Sequence, residues 1–273
     1  MSHRFDLDAY LQRIGHTGPV RADLSTLRAI IAAHTASIPF ENLDPFLHLP
    51  VSLDLAWIER KLVRSGRGGY CFEQNSLLRA ALTTIGFQVE GLIARVLWGR
   101  DPASLTPQTH MLLRIELDGE SWLADVGFGG QTLSGVLHLR ADIEQPTPHE
   151  PFRLTQADGN WWSQSLVRGE WLTLYRFDLQ PRFSADYEVA NHYTSTYPAS
   201  HFRHTLRVAR LAPMQRMNLS GRQFTLHTLG GESVKRTLGS AEEICEVLRE
   251  VFGIRLPEHP HLLQRLDALP MDT

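Results

Sequence analysis

Cysteine is scarce in this chain: 273 residues carry two, Cys71 and Cys245. Two thiols so far apart make no disulfide framework, which excludes the small stapled secreted folds and points to a reducing, cytoplasmic compartment. The opening MSHRFDLDAYLQRIG lacks the apolar run of a secretory leader. Long hydrophobic runs are missing throughout, since stretches such as LRAIIAA fall far short of the roughly 20 residues a membrane span requires. No sign of charge dominates: a formal net charge of −3 with mixed signs leaves no electrostatic footprint for nucleic acid or an anionic membrane. Internal repeats and low-complexity tracts are also absent. A soluble protein is expected, with small-molecule partners, no nucleic acid and no membrane. Its 42% hydrophobic content is enough to bury a real core.

The first third has helical periodicity, with segments starting near Leu7, Leu24, Leu53 and Cys71. Asp23, Ser25 and Asp54 sit near helix starts, and Gly86 follows LLRAALTTI as a C-terminal cap. After Gly86 the pattern becomes short strands: VEGLIARVLW, HMLLRIEL, SWLADV, GVLHL, FRLTQ, WWSQSLV and EWLTLYRF, with turn signals at Asp118-Gly119 and Asp158-Gly159-Asn160. The polar, proline-containing RADIEQPTPHEP reads as a surface connection. The last part mixes strands, QFTLHTL and ESVKRTL, with one amphipathic helix, SAEEICEVLREVFGI. In that helix Ile244, Val247, Leu248 and Val251 share a face and Cys245 lies beside it, so Cys245 reads as packing.

Cys71 sits differently, between the glycines of GRGGY and the helical pattern CFEQNSLLRAAL, whose Leu77, Leu78, Ala81 and Leu82 face inward. A thiol attacks as the thiolate and needs a field that favours the anion; unpaired N–H groups and the dipole at a helix N-terminus supply one. Gly66, Gly68 and Gly69 allow the tight turn and close backbone approach. From this segment alone, nucleophile and small core residue are equally good readings.

A second stretch, THMLLRIELDGESWLADVGFGG, separates them. Asp118-Gly119 signals a two-residue hairpin turn. Pairing Leu117 with Glu120 places Ile115 opposite Trp122, Leu112 opposite Asp125 and His110 opposite Gly127. Met111, Leu113, Ile115, Trp122, Ala124 and Val126 then form one apolar face. His110, Arg114, Glu116, Ser121 and Asp125 fall on the other, with Leu112 and Leu123 as apolar exceptions. His110 and Asp125 become diagonal neighbours with Cα atoms roughly 7–8 Å apart, close enough for imidazole and carboxylate to meet. They are the base and orienter that a catalytic thiol needs: His110 takes or holds the Cys71 proton, and Asp125 accepts from the other ring nitrogen. Such a triad serves hydrolases, transglutaminase-like enzymes and acyltransferases alike. The His201/His204 spacing in SHFRH lacks the Cys, Asp or Glu partners of a metal site, so no metal is expected.

The motifs RGGYCFEQN at 67–75, IPFENLD at 38–44, THMLL at 109–113 and DVGFGG at 125–130 resemble, in the same order, those of the bacterial arylamine N-acetyltransferases, including the N-hydroxyarylamine O-acetyltransferases. The similarity extends to NHYTSTYPASHF at 191–202. It implies an α+β fold: an N-terminal helical bundle over 1–86 carrying the nucleophile, a central antiparallel β-barrel over 87–200 carrying His and Asp, and a C-terminal α/β lid over 201–273, around a cysteine-protease-like core. It also implies the triad Cys71, His110 and Asp125, acetyl-CoA as acyl donor, and ping-pong transfer through acetyl-Cys71 to arylamines, arylhydrazines or N-hydroxyarylamines. Glu41 and Arg67 match positions that look like a pair bracing the active-site turn. Phe40, Val96 and Phe128 match substrate-pocket positions, with Gly129 in the adjoining glycine run giving close backbone approach to substrate or coenzyme A. The alternatives are a cysteine hydrolase or transglutaminase-like enzyme on the same triad, an acyltransferase or amide synthase with another donor, and a silent binding protein on the same scaffold.

Overall fold

A computed structural model describes residues 3–271. Its α-helices are α1 Leu7–Ile14, α2 Leu24–Ser37, α3 Leu43–Phe46, α4 Leu55–Ile58, α5 Cys71–Ile85, α6 Ser184–Thr196, α7 Ala241–Glu250 and α8 Leu262–Asp267. Side-chain oxygens of Asp6, Asp23, Asp54 and Ser240 accept first-turn N–H groups and start α1, α2, α4 and α7. Ser25 lies inside the first turn of α2 rather than capping it. Gly86 closes α5 in the left-handed conformation, as its position predicts. No helix among the described residues is long and apolar enough to cross a membrane.

Among the described residues, thirteen strands make two antiparallel sheets. Strands β2 Gln88–Val96, β3 Gln108–Leu117, β4 Glu120–Ala124, β5 Leu137–His138, β6 Glu144–Gln145, β7 Phe152–Ala157, β8 Asn160–Val167 and β9 Glu170–Phe177 run in the spatial order β5-β4-β3-β2-β9-β8-β7-β6. The second sheet joins β1 Phe40–Glu41, β10 Arg207–Ala212, β11 Gln215–Ser220, β12 Gln223–Thr228 and β13 Ser233–Thr237 in that order. The larger sheet is a nearly closed barrel. Its two edge strands meet through one side chain, because the Gln145 amide accepts from His138 N–H at 2.7 Å and donates to His138 C=O at 2.9 Å. RADIEQPTPHEP, expected as a plain surface connection, therefore contains the closing strand β6.

The hairpin register holds. Leu117 pairs with Glu120 and Ile115 with Trp122, across a turn in which Asp118 and Gly119 both have positive φ. Regular pairing stops at Leu113 and Ala124, so the expected pairs Leu112–Asp125 and His110–Gly127 are not part of the observed ladder. Met111, Leu113, Ile115, Ala124 and Val126 pack into the helical core with α5. The exceptions Leu112 and Leu123 pack into the barrel interior with Leu92, Phe152 and Leu154, so this sheet is buried on both faces. Helix α6, in a stretch for which no element was expected within the 87–200 barrel unit, adds Tyr187 and Ala190 to the helical core. The C-terminal region has two further strands, β10 and β11, and α8 beside the expected helix, where Cys245 is buried as packing.

Two buried polar assemblies fix the turn that leads into α5. Glu41 accepts from Arg67 at 2.8 Å, Arg67 bonds Asp44 at 2.8 Å, and Lys61 bridges Asp44 at 2.6 Å and Glu73 at 2.7 Å. Glu73 also accepts the Tyr70 N–H at 3.1 Å, at the very start of α5. Burial disfavours the charged guanidinium of Arg67, but Glu41 and Asp44 outweigh it and raise its pKa. Beneath this network, Tyr10 Oη lies 2.9 Å from His34 Nδ1, and His34 Nε2 lies 2.7 Å from Gln74 Oε1. Gln74 in turn donates to the carbonyls of Pro39 at 2.8 Å and Gly69 at 3.2 Å.

Arg67→Leu leaves Glu41 and Asp44 without their cation and is expected to cost about 3–5 kcal/mol in denaturant unfolding; a loss below about 1 kcal/mol would show the network is not structural. Burial lowers the pKa of His34 to about 4, against the opposing Gln74 bond. The unfolded chain, with an ordinary imidazole near about 6.5, therefore binds this proton more readily, and stability contributed by neutral His34 is lost as pH falls from about 6.5 to 4. In His34→Gln the fall in stability over that window should be shallower than in the parent protein.

Candidate active site

Helix α5 begins at Cys71 itself, so the thiol sits on the first helical residue, where backbone N–H groups lack partners within the helix. The glycines before it are sterically required. A Cβ on Gly68 would lie 2.0 Å from the Pro39 carbonyl oxygen, and one on Gly69 would lie 2.7 Å from Glu73 Oε2. Gly127 matters in the same way: a Cβ there would lie 2.6 Å from Cys71 Cα. The close approach expected of the DVGFGG run is thus made first to the backbone of Cys71. Gly129, at φ +91, rests against the Phe40 ring, and Gly130 rests against Asn218.

Cys71, His110 and Asp125 meet at this junction. His110 Nε2 lies 2.7 Å from Asp125 Oδ2, and both side chains are buried. Cys71 is the next group after Asp125 that acts on this imidazole, and it too favours the protonated ring. Sγ lies 3.6 Å from the Thr109 carbonyl, one residue before His110. Burial pushes the imidazole towards neutrality. The Asp125 charge and hydrogen bond, followed by Cys71, outweigh this and raise its pKa to about 10. For Asp125, burial favours protonation, but His110, the Gly127 N–H and Asn75 hold the carboxyl below its usual range. These directions describe a buried imidazolium–carboxylate pair placed against a thiol.

Aromatic rings set the orientation of the imidazole. Phe128 packs edge-on to it at 5.2 Å between centroids, and Tyr175 lies against it at 5.0 Å. Val96 pairs with Tyr175 across β2 and β9 and is half-buried. Phe40 is buried and packs on Phe202. Of the pocket positions, then, Phe128 reaches the triad directly, whereas Val96 and Phe40 adjoin it through Tyr175 and Gly129. Glu41 and Arg67 form the expected pair, extended by Asp44, Lys61 and Glu73, which the sequence reading missed. It also missed Tyr175 and Asn75. Asn75 had a usable signal, lying one helical turn after Cys71 in the quoted motif. His204 Nε2 lies 2.6 Å from the Pro198 carbonyl, and His201 packs edge-on against Phe202 at 4.5 Å between centroids.

This geometry has close counterparts. The N-acetyltransferase family model matches residues 23–260. An arylamine N-acetyltransferase of Mycolicibacterium smegmatis is 46% identical over 255 residues, 92% of each chain. The arylamine N-acetyltransferase / N-hydroxyarylamine O-acetyltransferase of Salmonella typhimurium is 38% identical, covering 93% of this chain and 91% of that one. The solved structure of Mycobacterium marinum arylamine N-acetyltransferase in complex with CoA superimposes with a TM-score of 0.93 at 38% identity, over 97% of this chain and 99% of the other. Match, identity and near-complete coverage agree that the chain belongs to the arylamine N-acetyltransferase family.

Proposed function

We propose that the chain acetylates arylamines, arylhydrazines or N-hydroxyarylamines from acetyl-CoA, with Cys71, His110 and Asp125 as the catalytic triad. The observation that carries this reading is the convergence of the three residues, the carboxylate 2.7 Å from the imidazole and the thiol sulfur 3.6 Å from the carbonyl of Thr109, the residue next to His110. In the first half-reaction the Cys71 thiolate attacks the thioester carbonyl carbon, forming a carbon–sulfur bond. The tetrahedral intermediate collapses, the bond to coenzyme A sulfur breaks, and imidazolium His110 supplies the proton to that leaving thiolate. In the second, the amine nitrogen attacks acetyl-Cys71, neutral His110 accepts the amine proton, and the Cys71 thiolate leaves. Asp125 keeps one ring tautomer and stabilises the imidazolium without itself becoming protonated.

The remaining site residues take roles in this scheme. Phe128, beside the imidazole, is placed to contact an aromatic acceptor, with Val96, Phe40 and Gly129 lining the approach. Glu41 and Arg67 brace the turn that aims the thiol. Thioester exchange is nearly isoenergetic, so the apolar rings serve chiefly to keep water from the acetyl-enzyme. The chain divides on this reading into a nucleophile-bearing unit over 1–86, a barrel unit over 87–200 and a lid over 201–273.

Incubation with acetyl-CoA, without acceptor, should add one acetyl group to Cys71 by intact mass and peptide mapping; no label, together with amide hydrolysis, would favour a hydrolase. Cys71→Ala should abolish turnover, and His110→Ala should lower it about a thousandfold or more. Asp125→Asn should lower it by about two to four orders of magnitude. Circular dichroism melts of the same samples separate this loss from unfolding, and near-normal rates in any of the three variants would contradict the assignment.

A further inference from the structure

Asp125 carries a buried charge, and its two oxygens are used differently. Oδ2 faces His110 Nε2 at 2.7 Å, whereas Oδ1 accepts the Gly127 N–H at 2.9 Å and Asn75 Nδ2 at 3.1 Å. Asn75 lies four residues after Cys71 on α5 and is fully buried. Its amide reaches both other chain segments of the site as well. Nδ2 donates to the carbonyl of Met111, next to His110, at 2.8 Å, and Oδ1 accepts the N–H of Val126, next to Asp125, at 3.1 Å. One side chain on the nucleophile's own helix therefore bonds the segment of the base and the segment of the acid.

We infer that Asn75 is a positioning residue for the acyl transfer: it locks the rotation of the Asp125 carboxylate and holds α5 in register with β3, so that thiol, imidazole and carboxylate stay aligned. The inference rests on the triad assignment above. An asparagine amide has two donors and a carbonyl acceptor, and three bonds of this geometry use both donors and one lone pair. No other side chain of that size matches them. Leucine offers no polar atom, and glutamine places the amide one methylene too far. Aspartate keeps the acceptor for Val126 but sets a second carboxylate against Asp125 Oδ1. Two carboxylates so close share a proton, and the imidazolium then loses its full counter-charge.

The test is the rate of Cys71 alkylation by iodoacetamide from pH 6 to 9.5, in the parent chain and Asn75→Asp, with thermal melts of both. A positioning role predicts a rate at pH 6 about tenfold or more below the parent, converging at pH 9.5, where hydroxide ionises a thiol without help from an imidazole. Profiles that superimpose, or a loss equal at every pH, would overturn the inference and leave Asn75 a packing residue. A parent chain in which Cys71 reacts no faster than Cys245 at pH 6 would overturn the triad reading and this inference together. If Asn75→Asp does not fold, Asn75→Ser, which keeps a small donor in the same space, carries the comparison; it should show a smaller shift in the same direction, and an unshifted profile would again overturn the inference.

Discussion

The structure turns on one ionised carboxylate kept out of water. An isolated buried carboxylate would take up a proton, because desolvation penalises the charged form. Asp125 avoids this because His110, the Gly127 N–H and Asn75 all face it. Since its charge is retained, the neighbouring imidazole keeps a proton that burial alone would remove. The thiol then meets a cation in an apolar surrounding, where electrostatic attraction is stronger than in water.

Delivering those groups to one point explains much of the surrounding architecture. The sheet end that carries His110 and Asp125 is wedged between the helical core on one side and the barrel interior on the other. Helix α5 comes close enough because Gly127 has no side chain to strike Cys71. The turn before α5 is clamped by the Glu41–Arg67–Asp44–Lys61–Glu73 network from one direction and by Gln74 from another. Within this network burial raises the Glu73 pKa to about 7 against the opposing pull of Lys61. Its ionisation is therefore tied to the cation that also holds Asp44.

What could be read in the residues was local. The start of α5, its glycine cap and the Asp118-Gly119 register all follow from nearest-neighbour backbone preferences, and that register alone brought His110 and Asp125 to one face. Leu112 and Leu123 broke the alternation because the sheet has no solvent face, a fact that depends on the barrel closing behind it. Helix α6 escaped notice because its buried side includes Asn191, Thr194 and Ser195, which carry no apolar periodicity. In β11 the buried Arg216 disguises an inward position, made tolerable by Glu150 at 2.6 Å from a distant loop. The pairing of Glu41 with Arg67 came from family resemblance, while Asp44, Lys61 and Glu73 joined it only once the chain was folded. Asn75 was visible at helical spacing from Cys71, but its three partners lie 36 to 51 residues away.

The central claim is that His110 stands as an imidazolium in the resting enzyme, paired with Asp125 and facing Cys71. Nitrogen NMR of histidine-labelled protein, with the His110 resonance assigned by the His110→Gln variant, measures this directly between pH 6 and 11. The account predicts both ring nitrogens protonated through neutral pH, with the proton leaving near about 10. A His110 resonance that is already neutral at pH 8, after titrating near the ordinary value of about 6.5, would contradict it.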